Sequence, residues 1–199
     1  MTDQVLQLNK GAEKRLKQGH LWIYSNEIDT KSSPLKSFSP GEQVIVKSHS
    51  GKEMGRAFMS PSSLIAGRMI SRDPKQLMDQ SLLKHRLNIA LSLRQAAFDK
   101  PYYRMVFGDS DLLPGLVVDR FGDVLVVQIS SVGMELLQED IIAALKKVCQ
   151  PTSILFKNNG KMRAAENLES YVTIMSGEEV SEAELEENGV RFVAPIVAG

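Results

Sequence analysis

Five residues near the N-terminus have the chemistry to hold a polyanion: Lys10, Lys14, Arg15, Lys17 and His20. Lys14 and Lys17 are three apart, so a helix would project them from one face. Four permanent cations and an imidazole can neutralise phosphates, and Trp22 and Tyr24 just beyond offer rings on which a base could stack. A second cationic stretch, Lys157-Asn-Asn-Gly-Lys161 with Arg163, follows an expected strand. It suits phosphate binding through side chains and backbone, or equally a solvated turn. The aromatic residues have a structural reading as well. Trp22 and Tyr24 are two apart on a short strand, hence on one side of it, and that side reads as core. His20, just past a helix stop, is as well placed to cap backbone carbonyls as to touch a ligand.

No catalytic constellation emerges. Asp109, Asp111, Asp119 and Asp123 gather around two turns without the dense ligand loop of a metal site, and turns favour aspartate in any case. Cys149 follows the apolar Val148 and has only Lys146 and Lys147 as nearby cations, which fits a buried, inert thiol. There is no G-x-G-x-x-G, P-loop or H-E-x-x-H motif. The expectation is therefore no catalytic, cofactor-binding or metal residue in this chain.

The elements that must carry these residues change character along the chain. Short runs cut by turn residues fill the first 72 positions: Val5–Leu8, Leu21–Tyr24, Gln43–Lys47, Gly55–Met59 and Leu64–Ile70. Strands at this spacing indicate a small β-barrel. One helical piece, 11–18, interrupts them and stops at Gly19. After Arg72-Asp-Pro74 a breaker-free stretch from Asp79 to Phe98 predicts a long helix, with apolar residues around much of its axis and burial on more than one side. Strands follow at Tyr102–Phe107, Leu116–Asp119 and Val124–Ile129, the last two joined by the four-residue loop Arg120–Asp123. Leu137, Ile141, Ala144, Leu145 and Val148 mark an amphipathic helix closed by Pro151, and Ser153–Phe156 is another strand. Asn188-Gly189 is a turn signal ahead of a strand at Val190–Val193. The fold class is α+β, with domains expected at 1–73 (barrel), 74–176 (central α/β domain) and 177–199 (acidic lead-in to a further domain).

Composition sets the outer bounds. At 199 residues, 43% hydrophobic and 24% charged, the chain has the makings of a core in one large or two small domains. No apolar run is long enough to span a bilayer, and the N-terminus lacks the pattern of a secretory signal. A single cysteine excludes an internal disulfide framework, so a cytoplasmic setting is expected. The net charge of zero conceals an asymmetry. Residues 1–72 carry 11 Lys+Arg against 6 Asp+Glu, and residues 166–199 carry 1 against 8. A basic front suggests a polyanionic partner; a merely solubilising acidic tail would give the same numbers.

Two stretches carry a family resemblance. Lys14-Arg-Leu-Lys-Gln-Gly-His-Leu-Trp-Ile-Tyr-Ser-Asn-Glu27 resembles the opening of a PUA domain, a small RNA-binding barrel. Phe107-Gly-Asp-Ser-Asp-Leu-Leu-Pro-Gly-Leu-Val-Val-Asp-Arg-Phe-Gly-Asp123 resembles the central-domain signature of the ribosomal RNA large subunit methyltransferase I type, and the segment holding Arg163 and Glu166 resembles that family's Arg-x-x-Glu-Gly-Leu. The resemblance spans essentially the whole chain. It departs at Leu21, where the family commonly has proline, and at Leu112 and Asn167, where it commonly has glycine. It implies a PUA-type barrel, a central domain and a Rossmann-type methyltransferase domain absent from this chain, with Gly199 as the first glycine of the motif leading into it. It also implies S-adenosylmethionine as cofactor of the whole enzyme, bound by none of these residues, and 23S ribosomal RNA as partner, methylated at carbon 5 of a cytosine. The cysteine nucleophile of that chemistry would lie beyond Gly199, so Cys149 does not inherit its role. Lys10, Lys14, Arg15, Lys17, His20, Lys157, Lys161 and Arg163 become the candidate RNA contacts. No membrane partner is expected, and a homodimer is left open. A stand-alone RNA-binding adaptor without activity is the alternative.

Overall fold

The structure, a computed structural model, describes residues 4–198, so Gly199 lies outside the described residues. The chain divides into two compact units, one of residues 1–78 with 131–136 and one of residues 79–130 with 137–199.

The first unit is built on a curled five-stranded sheet of order β1-β3-β4-β5-β2: β1 Val5–Gln7, β2 Trp22–Tyr24, β3 Gln43–Lys47, β4 Glu53–Met59 and β5 Ile65–Ser71. β3 alternates as expected for one buried face, with Val44 and Val46 fully buried, whereas β4 and β5 are covered along nearly their whole length. Leu6, Leu8, Leu16, Ile23 and Ile28 complete that core. Burying each such side chain stabilises the unit by about 1.5–3 kcal/mol before chain entropy is counted. The helical piece expected at 11–18 is the single turn α1, Glu13–Lys17, with Leu16 pointing inward.

This unit closes at Met78 rather than at residue 73. Met78 is buried, and the Gln43 side chain brackets its peptide: Nε2 donates to the Met78 carbonyl at 3.0 Å and Oε1 accepts from the Met78 N–H at 2.8 Å. Arg56 Nε donates to the Pro74 carbonyl at 2.8 Å. These polar clamps on a linker-like sequence left no trace in its hydrophobic pattern. The short helix α3, Val132–Glu135, also belongs to this unit, and a β-carbon on Gly133 would stand 2.3 Å from the Phe58 ring.

In the second unit the sheet order is β10-β9-β8-β7-β6, with β6 Tyr102–Phe107, β7 Leu116–Phe121, β8 Val124–Ile129, β9 Ser153–Asn158 and β10 Tyr171–Gly177. Helix α2, Gln80–Ala97, begins where the Asp79 side chain accepts from the Leu82 N–H, a satisfied N-cap. It packs on α4, Gln138–Cys149. Contrary to expectation, α2 is buried along one stripe only: Leu83, Leu87, Ala90 and Leu91 are covered, while Ile89 and Leu93 are exposed. The loop expected at 120–123 is a two-residue turn, because Arg120 and Phe121 remain paired with Leu125 and Val124. β11 Glu182–Glu187 and β12 Val190–Pro195 make a hairpin around Asn188-Gly189, and Ala183 and Ile196 join the core of the second unit with Val126 and Leu155.

Both departures from the family's glycines fall where the backbone is left-handed: Leu112 has φ 58° and ψ 27°, and Asn167 has φ 57° and ψ 35°. Asparagine tolerates that region, whereas a leucine there costs about 1–2 kcal/mol. Leu112 is 46% exposed, so its side chain returns little packing. Glycine would lose roughly 0.5–1 kcal/mol more backbone entropy on folding. Leu112→Gly is therefore expected to stabilise the chain by about 0.5–1 kcal/mol in urea unfolding. A loss of stability would show instead that the leucine side chain holds the loop.

Candidate nucleic-acid interface

Of the eight candidate contacts, the first five lie in the first unit and the last three in the second. The first five converge on α1 and its flanks. Lys10, Lys14, Lys17 and His20 are exposed. The His20 backbone N–H closes the helix by donating to the Arg15 carbonyl at 3.1 Å, so the cap is made by the backbone. Arg15 is tied down: Nη1 pairs with Glu27 Oε1 at 2.7 Å, and the guanidinium lies 4.9 Å from the Tyr24 ring centroid. The hydrogen bond that Arg15 donates to Glu27 raises the Arg15 pKa above its ordinary value. Glu27 Oε2 also accepts from the Tyr24 N–H at 2.8 Å. Arg15 thus braces the junction of α1 and β2 while the lysines face outward.

The aromatic residue expected in the core is at the surface. Trp22 is 37% exposed, whereas Ile23 beside it is 1% exposed. The strand has the period expected of it but the opposite phase: the core takes the β-branched Ile23 and leaves the indole outside. Arg68, directly across from Trp22 on β5, places its guanidinium 5.8 Å from the indole centroid. That is cation–π geometry, and it steadies the ring. Nothing local in the sequence announces Arg68, because the partnership depends on the register of β2 with β5.

The last three candidates separate. Lys161 is exposed. Lys157 is half-buried and its Nζ donates to the Ile196 carbonyl at 3.0 Å. Arg163 is only 2% exposed, which corrects its expected place on the surface. Its Nη1 donates to the Ile129 carbonyl at 2.6 Å, its Nε to the Glu169 carbonyl at 2.7 Å, and it lies 5.1 Å from the Tyr171 centroid. A planar guanidinium can bridge several carbonyls at once, so the residue that reads as a phosphate ligand is an internal cross-link. Arg163→Met is expected to cost about 2–4 kcal/mol by leaving buried carbonyls without donors. RNA affinity of the folded variant should be unchanged; a selective loss of binding would return Arg163 to the interface.

Two aspartates of the central signature, Asp111 and Asp119, are also structural. Asp111 takes a bidentate pair from Arg94, at 2.6 and 2.8 Å, and accepts from the Phe107 N–H at 2.6 Å. Asp119 takes a second from Arg104, at 2.8 and 3.0 Å. Among the described residues no three His, Cys, Asp or Glu side chains gather as a metal site, and no helix is long and apolar enough to cross a membrane.

Comparison with known proteins follows this division. A family model for a PUA-like domain matches residues 6–72, nearly the whole sheet of the first unit. Ribosomal RNA large subunit methyltransferase I of Cronobacter sakazakii is 32% identical over 198 residues, covering 98% of this chain and 49% of that protein. The protein of the same name from Aliivibrio fischeri (strain ATCC 700601 / ES114) is 32% identical over 196 residues, covering 96% and 49%. The chain thus spans about half the length of these curated relatives. Among solved structures, a Streptococcus mutans protein described as a candidate SAM-dependent methyltransferase superposes with a TM-score of 0.79 at 20% identity, covering 98% of this chain and 49% of that one. A similar structure, complexed with SAH, gives 0.78 at 20% identity. At that identity the two structures establish the shared fold.

Proposed function

Because the chain carries a PUA-like domain and is homologous to ribosomal RNA large subunit methyltransferase I along nearly all of its length, we propose that it is the RNA-holding half of an S-adenosylmethionine-dependent methyltransferase acting on carbon 5 of a cytosine in 23S ribosomal RNA, in the cytoplasm. The observation that carries this reading is the surface around α1: Lys10, Lys14, Lys17 and His20 exposed beside an outward-facing Trp22. The cations neutralise phosphates and the indole, steadied by Arg68, receives an unstacked base.

These 199 residues perform no methyl transfer in this reading. S-adenosylmethionine supplies the methyl group, and the residues here do not fit it. The usual cradle needs parallel strands whose carboxyl ends open toward a glycine-rich turn and a helix N-terminus. In the second unit only β8 and β9 run parallel. In this reading Cys149 is not the nucleophile, which agrees with burial pushing its thiol pKa up and with Sγ lying 3.5 Å from Met105 Sδ.

The test is binding of the chain to a single-stranded fragment of 23S ribosomal RNA across a salt series. Affinity should fall linearly on logarithmic axes, with a slope of about −0.7 per phosphate contact. Absent or salt-independent binding would remove the reading.

A further inference from the structure

Within the second unit, a cleft of about 690 Å³ lies along the end of the edge strand β6, between the β6–β7 face and the β11–β12 hairpin. That is in the range of roughly 300–1,000 Å³ typical of small-molecule sites. Its walls are unusually aromatic for a chain with 6% aromatic residues. Tyr102 and Phe121 stand opposite each other across β6 and β7, and Phe98 and Phe192 line the cleft while 52% and 44% exposed. Phe98 also stacks on Tyr103 with ring centroids 5.5 Å apart. Tyr103 is another lining residue, with its hydroxyl buried and making no hydrogen bond.

The charges around the cleft are largely cancelled. Arg104 is held by Asp119 at 2.8 Å, and Lys100 Nζ by Glu186 at 2.5 Å. Arg120 is then outnumbered by Asp99 and Glu187 among the remaining charged lining residues. A phosphate gains nothing from such a site. A flat, uncharged ring with hydrogen-bonding edges does: its faces meet the aromatic rings, and its edges meet carboxylates, guanidinium groups and the Asn188 amide.

We propose that this cleft receives a single unstacked nucleobase of an RNA strand, with Phe192 and Tyr102 as the stacking residues. The proposal rests on the RNA-binding reading and deepens it, adding a base-capturing cleft in the second unit to the phosphate grip and stacking indole of the first.

The test uses the whole chain and single-stranded RNA 12-mers carrying 2-aminopurine at successive positions. Stacking should quench the probe at one position more than at its neighbours. Phe192→Ala should abolish that quenching and weaken binding by about 10-fold, with the salt slope unchanged because no phosphate contact is lost. Phe192→Tyr should restore both. Tyr102→Ala provides an independent second variant. Wild-type quenching and affinity in both alanine variants would overturn the cleft assignment while leaving RNA binding standing. Loss of the quench to free adenosine 5′-monophosphate, at an affinity matching the oligonucleotide's, would overturn it in favour of a soluble nucleotide. Failure of the unmodified chain to bind the RNA at all would remove the RNA-binding reading itself.

Discussion

Replacing Lys14 and Lys17 together by glutamate lowers affinity for single-stranded RNA about 100-fold at low salt and flattens the salt dependence by about 1.4 in logarithmic slope. Both ammonium groups are exposed on the one-turn helix α1 and face away from its only buried residue, Leu16. Neither makes an ion pair among the described residues, so their charge is available to a phosphate and its reversal leaves the fold intact. Arg15, between them in sequence, is the wrong residue to reverse, since it is engaged with Glu27 and Tyr24 and its loss would disturb the helix itself. The control is Lys146→Glu with Lys147→Glu, exposed on α4 in the second unit. It makes the same change in net charge away from the proposed contact. Equal losses in the two double variants would mean that only the overall charge matters, and the α1 surface would lose its assignment.

Much of the scaffold of that surface was legible in the sequence, and the reasons are local. Short runs cut by turn residues marked β3, β4 and β5, and in the second unit the i, i+4, i+7 spacing from Leu137 marked α4. The failures were of a different kind. Trp22 was assigned to the wrong side because a three-residue strand carries too few alternations to fix its phase, and the deciding partner, Gly67 opposite Ile23, lies more than forty positions away. Arg163 read as a phosphate ligand because a guanidinium is chemically suited to either role; only burial separates them. The hairpin 182–195 was obscured by its own charge. Glu182, Glu184 and Glu187 are exposed, yet Ala183 and Leu185 between them point inward, a period-two pattern that a count of acidic residues averages away. The cleft proposed for a base depends on pairing β6 with β7 and folding that hairpin nearby, so no linear motif could announce it.

The sheet that supports α1 and Trp22 depends on one position where no side chain is tolerated. Gly55 in β4 has φ +136°, and a β-carbon there would stand 2.0 Å from the Ser71 carbonyl oxygen and 2.9 Å from Arg72 Cα. Both obstacles are backbone, so neither can swing aside. Pairing is irregular on both sides of this residue, with register shifts at Val46/Lys47 against β3 and at Arg56/Ala57 against β5. The glycine thus lets the strand bend while staying bonded to two neighbours. Gly55→Ala must either break the contact with β5 or hold alanine in a conformation it resists, and the expected cost is about 3 kcal/mol or more. For a unit of this size that lowers the melting temperature by roughly 12 °C or more. Gly51→Ala separates strain from collision: Gly51 has φ +83° but nothing within 4 Å of its would-be β-carbon, so the cost should be about 1 kcal/mol. The chain's single tryptophan, Trp22, lies in the same unit and reports its unfolding by fluorescence. Equal shifts for the two variants would show that β4 moves away from Ser71 without penalty, and that the bend at Gly55 does not constrain the platform beneath Trp22.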